Sequence, residues 1–201
     1  MVTSRNLISL YFLVTRIDNG SISGDIVECG VWNGGSTALM GFSHYNKNHS
    51  LARNFWLFDS FSGLPEPSEK DGKQAKDTFY QGYCLGSEIK AKEVIQKLAL
   101  PMEDFHIVPG WFNETLPRTN IDRIALLHID ADWYDSVKQV LEAYYDRVVP
   151  GGFIALDDYG YWEGCKRAVD DFFEKRSFPP DINYVSKTGI FIQKREQPTG
   201  Q

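Results

Sequence analysis

At 201 residues the chain is long enough for one domain with a full core, and 42% hydrophobic with 24% charged residues is ordinary for a soluble globular protein. A net charge of −6 argues against a nucleic-acid binder, which would carry a basic face, and favours small or neutral substrates over polyanions. Three widely spaced cysteines, Cys29, Cys84 and Cys165, suit neither a disulfide framework nor a zinc site, so reduced thiols and a cytoplasmic location are expected.

Leu7, Leu10, Tyr11, Val14 and Ile17 recur at helical spacing, which predicts an amphipathic helix over 3–18, stopped by Asn19-Gly20. Its apolar run after Arg5 weakly resembles a signal peptide, but Arg16 and Asp18 interrupt it and no small-residue cleavage site follows. No run approaches the ~20 apolar residues of a membrane span. Asp25 to Cys29 reads as a strand, followed by a glycine-rich turn, Gly30 to Ser36, and a helix to about Tyr45. A second strand covers 54–59. Residues 60–83 are rich in Gly, Pro and charge and lack a clear period, so 60–86 is expected to be an active-site loop that closes over substrate.

Ser87 to Leu98 reads as a helix with Ile89, Val94, Ile95 and Leu98 as its apolar side. Phe105 to Val108 is a short strand and Ile121 to Asp130 the strongest one. Trp133, Val137, Val140, Leu141 and Tyr144 then share a helical face, and Phe153 to Asp157 is the next strand. Cys165, Ala168, Val169, Phe172 and Phe173 mark the last helix, and Lys187-Thr-Gly189 joins two strands as a hairpin. This alternation predicts an α/β fold. A doubly wound, mostly parallel, seven-stranded sheet would carry helices on both faces and end in an antiparallel hairpin strand.

Three features carry chemistry. Two apolar runs end abruptly in carboxylates, at Asp130 and at Asp157-Asp158. Neighbouring parallel strands end at one sheet edge, so these three acids should converge. Carboxylates that close repel one another unless a cation lies between them, and an oxygen-only set suits magnesium or calcium. The glycine-rich turn lacks the lysine of a phosphate loop and departs from dinucleotide-binding spacing. It nonetheless opens a helix, with Glu28 before it positioned to accept from an amino group. Asp59, at the end of the second strand, can bind a ribose, so the pair reads as a nucleoside site for a molecule such as S-adenosylmethionine. Asp59 could equally be a helix cap. Gly110-Trp111-Phe112, after the third strand, can flank an adenine or plug the edge of the core. Trp133, Tyr134, Tyr159, Tyr161 and Trp162 cluster near the acids and could stack on a sugar ring, and Asp170-Asp171 reads as a solvated helix face.

With these residues in hand the chain resembles the macrocin O-methyltransferase family. The resemblance rests on Asp25-Ile-Val-Glu-Cys-Gly-Val-Trp-Asn-Gly-Gly-Ser, Phe58-Asp-Ser-Phe-Ser-Gly-Leu-Pro and Gly110-Trp-Phe-Asn-Glu-Thr-Leu-Pro. His128-Ile-Asp-Ala-Asp-Trp-Tyr and Pro150-Gly-Gly-Phe-Ile-Ala-Leu-Asp-Asp-Tyr follow in the family's order. It implies one class I, Rossmann-like methyltransferase domain over 1–201, using S-adenosylmethionine and Mg²⁺ to methylate a sugar hydroxyl. It further implies that Glu28, Gly30, Ser36 and Asp59 belong to the cofactor site and that Asp130, Asp157 and Asp158 hold the metal. The general base would be Asp132, because Gly160 stands where the macrolide branch has a histidine. Family members carry a longer segment ahead of the first strand, which helps to cover the substrate, and they often assemble, so a homo-oligomer is a further implication. On a strand that persisted, His128, Asp130 and Asp132 would share a face; Asp132 could instead cap the following helix. A catechol or other vicinal diol as acceptor, and a non-catalytic nucleoside-binding scaffold, remain alternatives to sugar methylation.

Overall fold

The computed structural model describes residues 2–47, 53–176 and 179–196. Seven strands form one sheet: β1 (Asp25–Cys29), β2 (Phe55–Asp59), β3 (Phe105–Pro109), β4 (Ile124–Ile129), β5 (Val148–Leu156), β6 (Ile182–Tyr184) and β7 (Ile190–Gln193). Their spatial order is β3-β2-β1-β4-β5-β7-β6. β1 to β5 are parallel, and β7 runs antiparallel between β5 and β6. The chain winds outward from β1 to β3, then crosses to β4 on the other side of β1. That reversal opens the crevice between β1 and β4 at their C-terminal ends.

Alternation along β1 and β4 sorts the core into two layers. Ile26 and Leu126 pack with α1 (Ser4–Asn19), α2 (Gly35–Lys47) and α4 (Glu88–Lys97). Val27, Cys29, Leu127 and Ile129 pack with α6 (Tyr134–Tyr144) and α7 (Glu163–Glu174). Two further helices, α3 (Gly72–Thr78) and α5 (Phe112–Thr115), are short. α1 forms because Thr3 caps it and Leu10, Leu13, Val14 and Ile17 bury one stripe; it packs against α2. No described helix is long and apolar enough to cross a membrane.

Three local expectations are corrected. Residues 60–83 are not structureless: Ser68 and Asp71 form a capping box and α3 follows. The helix was illegible because two turns with only Ala75 buried show no period. On α4 the buried side is Ala91 and Ile95, whereas Ile89 (71% exposed) and Leu98 (44%) face outward. The loop before α2 reaches it: a Cβ on Gly34 would lie 2.8 Å from the Ala91 Cα, so a small residue, not a large apolar one, marks the contact. Finally, β4 ends at Ile129, and Asp132 adopts φ +55°, so Asp132 does not continue the strand face of His128 and Asp130.

Candidate active site

The ends of β1 and β4 are pressed together. Gly30 has φ +94°, and a Cβ there would sit 1.8 Å from the Asp130 carbonyl oxygen, so only glycine lets the turn leave β1 at this point. Asp130 N–H in turn donates to the Cys29 carbonyl at 2.9 Å. Above this junction opens a cleft of about 930 Å³, lined among others by Gly30, Ser36, Asp59, Gly110, Asp130 and Asp132. Trp111 and Phe112 also line it, Trp111 at 40% exposure.

Asp59 faces the cleft, but its carboxylate also builds the wall. Oδ2 accepts from the Val31 and Trp32 amides at 2.7 and 2.8 Å, and Oδ1 accepts from Phe61 N–H at 2.7 Å. About one of its roughly four acceptor positions remains for a ligand. Glu28 does not line the cleft. It is buried under the turn, where it accepts from the Ser36 and Thr37 hydroxyls and from His128 Nδ1 at 2.9 Å. β1 and β4 register Glu28 against His128, so the two meet as cross-strand neighbours. In this structure Glu28 therefore orients the start of α2, and the His128 ring is held as a hydrogen-bonded strand residue.

Asp130, Asp157 and Asp158 come together at the strand ends. One ligand oxygen from each lies within 4.8 Å of the others. Burial, followed by repulsion from Asp157 and Asp132, pushes Asp130 up to about 8. Burial and the charges of Asp132, Asp130 and Asp157 push Asp158 well above the carboxylate range. Asp157 is raised less by burial, because His128 and the Asn6 amide favour its ionised form. Asp158 Oδ2 is buried with no hydrogen-bond partner among the described residues. An orphaned oxygen in an all-carboxylate set fits a hard divalent cation.

Asp132 stands on the cleft wall beside this cluster. The Trp162 indole N–H donates to its Oδ1 at 2.7 Å. Burial raises its pKa to about 6, and the indole bond opposes that rise. It does not cap α6: the N-cap residue is Trp133, without a side-chain bond, and the Tyr134 amide is capped instead by Asp71 Oδ1 at 2.6 Å. Asp71, only 2% exposed, also accepts from Ser68 N–H and Oγ–H, so it fastens the 60–86 segment to the helix that starts beside the acids. Trp133 Nε1–H to the Pro65 carbonyl and Trp32 Nε1–H to the Leu85 carbonyl fasten the same segment at both ends. Trp32, Cys84 and Asp132 all line the cleft with positive φ, a concentration of strained backbone typical of a functional site.

Some expected residues do other work. Trp133, Tyr134, Tyr159 and Trp162 are buried, leaving Tyr161 as the exposed ring of that cluster. Asp170 and Asp171 accept from the Tyr159 and Tyr134 hydroxyls, while Asp170 keeps the exposure expected of a helix face. Asn6 was missed: its Nδ2 donates to Asp157 Oδ1 at 2.7 Å. The available signal was a polar residue on the otherwise apolar stripe of Leu10, Leu13 and Ile17. The Ser68-Glu-Lys-Asp71 capping box was similarly legible but unread. Ser136 and Gln139, which line the cleft from α6, carried no such signal.

The model of the macrocin-O-methyltransferase (TylF) family matches residues 1–194. An 8-demethyl-8-(2,3-dimethoxy-alpha-L-rhamnosyl)-tetracenomycin-C 4'-O-methyltransferase of Streptomyces olivaceus is 30% identical over 194 residues, covering 95% of this chain and 74% of that protein. A demethyldecarbamoylnovobiocin O-methyltransferase of Streptomyces niveus is 31% identical over 199 residues, covering 96% and 75%. The solved structure of the O-methyltransferase NovP superposes with a TM-score of 0.85 at 28% identity, over 96% of this chain and 80% of that one. The strand order, the glycine turn against Asp130 and these matches agree: this chain belongs to the TylF macrocin-O-methyltransferase family and is an O-methyltransferase of class I fold.

Proposed function

We propose that the chain transfers the methyl group of S-adenosylmethionine to a sugar hydroxyl of a glycosylated small molecule, with Asp130, Asp157 and Asp158 holding Mg²⁺. The observation that carries this reading is the convergence of three carboxylates, one of which, Asp130, lines the same cleft as the glycine turn and Asp59. The relatives, named as methyltransferases of a rhamnosyl tetracenomycin and of demethyldecarbamoylnovobiocin, support a sugar-bearing acceptor.

In the reaction the sulfonium S–CH₃ bond breaks as the acceptor oxygen forms its bond to that carbon, and the hydroxyl proton goes to Asp132. The donor is already activated, so alignment and deprotonation are the protein's tasks. When bound, the cation supplies a positive charge that lowers the pKa of a nearby hydroxyl. Burial raises the Asp132 carboxyl above the usual carboxylate range, which makes it a stronger base than a free carboxylate. Trp162 fixes its direction through Oδ1. Asp59, Gly110, Trp111 and Phe112 are the residues that would hold the nucleoside, and the anchored 60–86 segment would exclude water.

Calorimetric titration of S-adenosylmethionine with and without Mg²⁺ tests this directly. Donor binding by the wild type is expected, with Mg²⁺-dependent turnover that Asp157→Asn abolishes while donor affinity stays within about threefold. No detectable donor binding would falsify the reading.

A further inference from the structure

The methyl donor proposed above is long, and the sheet edge fixes how it lies. Its sulfonium must reach the acids at the end of β4, and its ribose the acceptor position left on Asp59 at the end of β2. The strand order β3-β2-β1-β4 then carries its adenine on toward β3, where Gly110, Trp111 and Phe112 line the cleft. On that reading of the donor, we infer that Gln139 of α6 recognises the adenine by its 6-amino edge and so decides which base the cleft accepts.

Four buried side-chain oxygens meet no hydrogen-bond partner among the described residues: those of Asn6, Gln139, Tyr144 and Asp158. Of these four residues only Gln139 lines the cleft. A buried acceptor without a donor costs free energy that a bound N–H would recover. Adenine carries its N–H donors on the 6-amino group, with ring nitrogens beside it as acceptors. A carboxamide matches that edge: its oxygen accepts from the amino group while its NH₂ donates to a ring nitrogen. The last torsion of a glutamine side chain is broad, so the carboxamide turns its oxygen toward the cleft at small cost.

The helix turns this residue toward β3. Ser136, Gln139 and Ala143 recur along one flank of α6 and are half-buried. The other flank, with Lys138 and Glu142, borders a separate hollow together with Ala168 and Phe172 of α7. The Gln139 flank therefore faces away from α7 and toward α5, which packs against α6 and begins at Phe112. Phe112 and Ala143 rest on the same core. The neighbouring polar groups do not share the need for a ligand. Asn113 and Asp135 also line the cleft, but both are exposed and water satisfies them. Gln139 is thus the polar side chain at this end of the cleft whose bonding a base would complete.

Two ligands that differ only at this edge test the assignment: S-adenosylhomocysteine, and its analogue in which purine riboside replaces adenosine, so that hydrogen stands for the amino group. Each is titrated calorimetrically into the wild type and into Gln139→Met. The wild type should bind the adenosyl compound about tenfold or more tighter, because the analogue leaves a buried acceptor unpaired. Gln139→Met, of similar length and without hydrogen-bonding groups, should bring the two affinities within about twofold of each other. Equal affinity of the wild type for both ligands overturns the inference without need of a variant, and so does a preference that survives in Gln139→Met. Either result leaves the donor site standing. Failure of the wild type to bind S-adenosylhomocysteine removes instead the donor reading, and the inference with it.

Discussion

The Asn6 amide, on the first turn of α1, donates to Asp157 Oδ1 at 2.7 Å across 151 positions of sequence. The same Nδ2 lies 3.3 Å from Thr188 Oγ1, and Gly189 packs so closely that a Cβ there would reach the Asn6 amide at 2.5 Å. A helix laid down before the first strand thus holds a carboxylate laid down after the fifth. The bond favours the ionised form of Asp157, the form that a cation requires.

Asn6→Ala should therefore weaken Mg²⁺ binding by about 10–100-fold, the usual effect of losing a group that supports a metal ligand. Donor affinity should stay within about twofold. Thr188→Val, which removes the hydroxyl's contacts with Asn6 and Ser186 but spares the Asn6–Asp157 bond, should leave Mg²⁺ affinity unchanged. Calorimetry with Mg²⁺ alone checks both; equal losses in the two variants would make Asn6 a packing residue.

Asp132→Asn should lower kcat by about 10²–10⁴-fold, the range of a lost general base, with Mg²⁺ affinity nearly intact. Trp162→Phe removes the N–H that stabilises ionised Asp132, so the Asp132 pKa rises. The acid limb of the kcat profile should move to higher pH. A limb that stays in position in Trp162→Phe would assign the titration to another group.

The acid cluster sets a pH dependence of stability. Burial and mutual repulsion raise Asp130, Asp132 and Asp158 above their unfolded values. A raised carboxylate favours the folded state at low pH, below its unfolded pKa near ~4, and loses that contribution as pH climbs through the folded value. Metal-free protein should thus lose stability from this cluster between about pH 4 and 8. A cation binds the ionised forms, so the gain in Tm on adding Mg²⁺ should grow from pH 5.5 to pH 8. Melting curves with Mg²⁺ or chelator check this; a gain independent of pH would contradict it.

Asp71 caps α6 from outside that helix and closes its own capping box. Asp71→Ala leaves the buried Tyr134 amide unsatisfied and should cost about 1–3 kcal/mol, read by urea unfolding. Because Asp71 also ties down the 60–86 segment, acceptor KM should rise in the same variant. Loss of stability with unchanged KM would separate the cap from the cleft.

Gly30→Ala meets a backbone oxygen rather than a mobile side chain, and it also requires positive φ. Spreading β1 from β4 should destabilise the fold by at least about 2 kcal/mol and abolish donor binding. Calorimetric titration of any folded fraction measures the second effect.

How much of this was legible follows from the range of each interaction. The strands and major helices announce themselves because their apolar periods are local, as in Val137, Val140, Leu141 and Tyr144 of α6, all buried. The acids at the ends of β4 and β5 were visible because parallel strands share an edge. The fate of Asp132 was not visible: its positive φ and its bond to Trp162 depend on how two loops meet. The role of Glu28 was similarly hidden, since its partner His128 lies on a strand that becomes its neighbour only through a crossover.

The sequence alone determined the alternation of strands and helices, the glycine at a turn no side chain could occupy, and the carboxylates at the sheet edge. These follow from backbone sterics and local patterning. Tertiary structure alone decided that Asp59 binds the turn's amides, that Asn6 supports Asp157 and that Asp71 caps a distant helix. Each joins groups far apart in the chain, and nothing in the local spacing of residues states which distant partner a buried polar group will find.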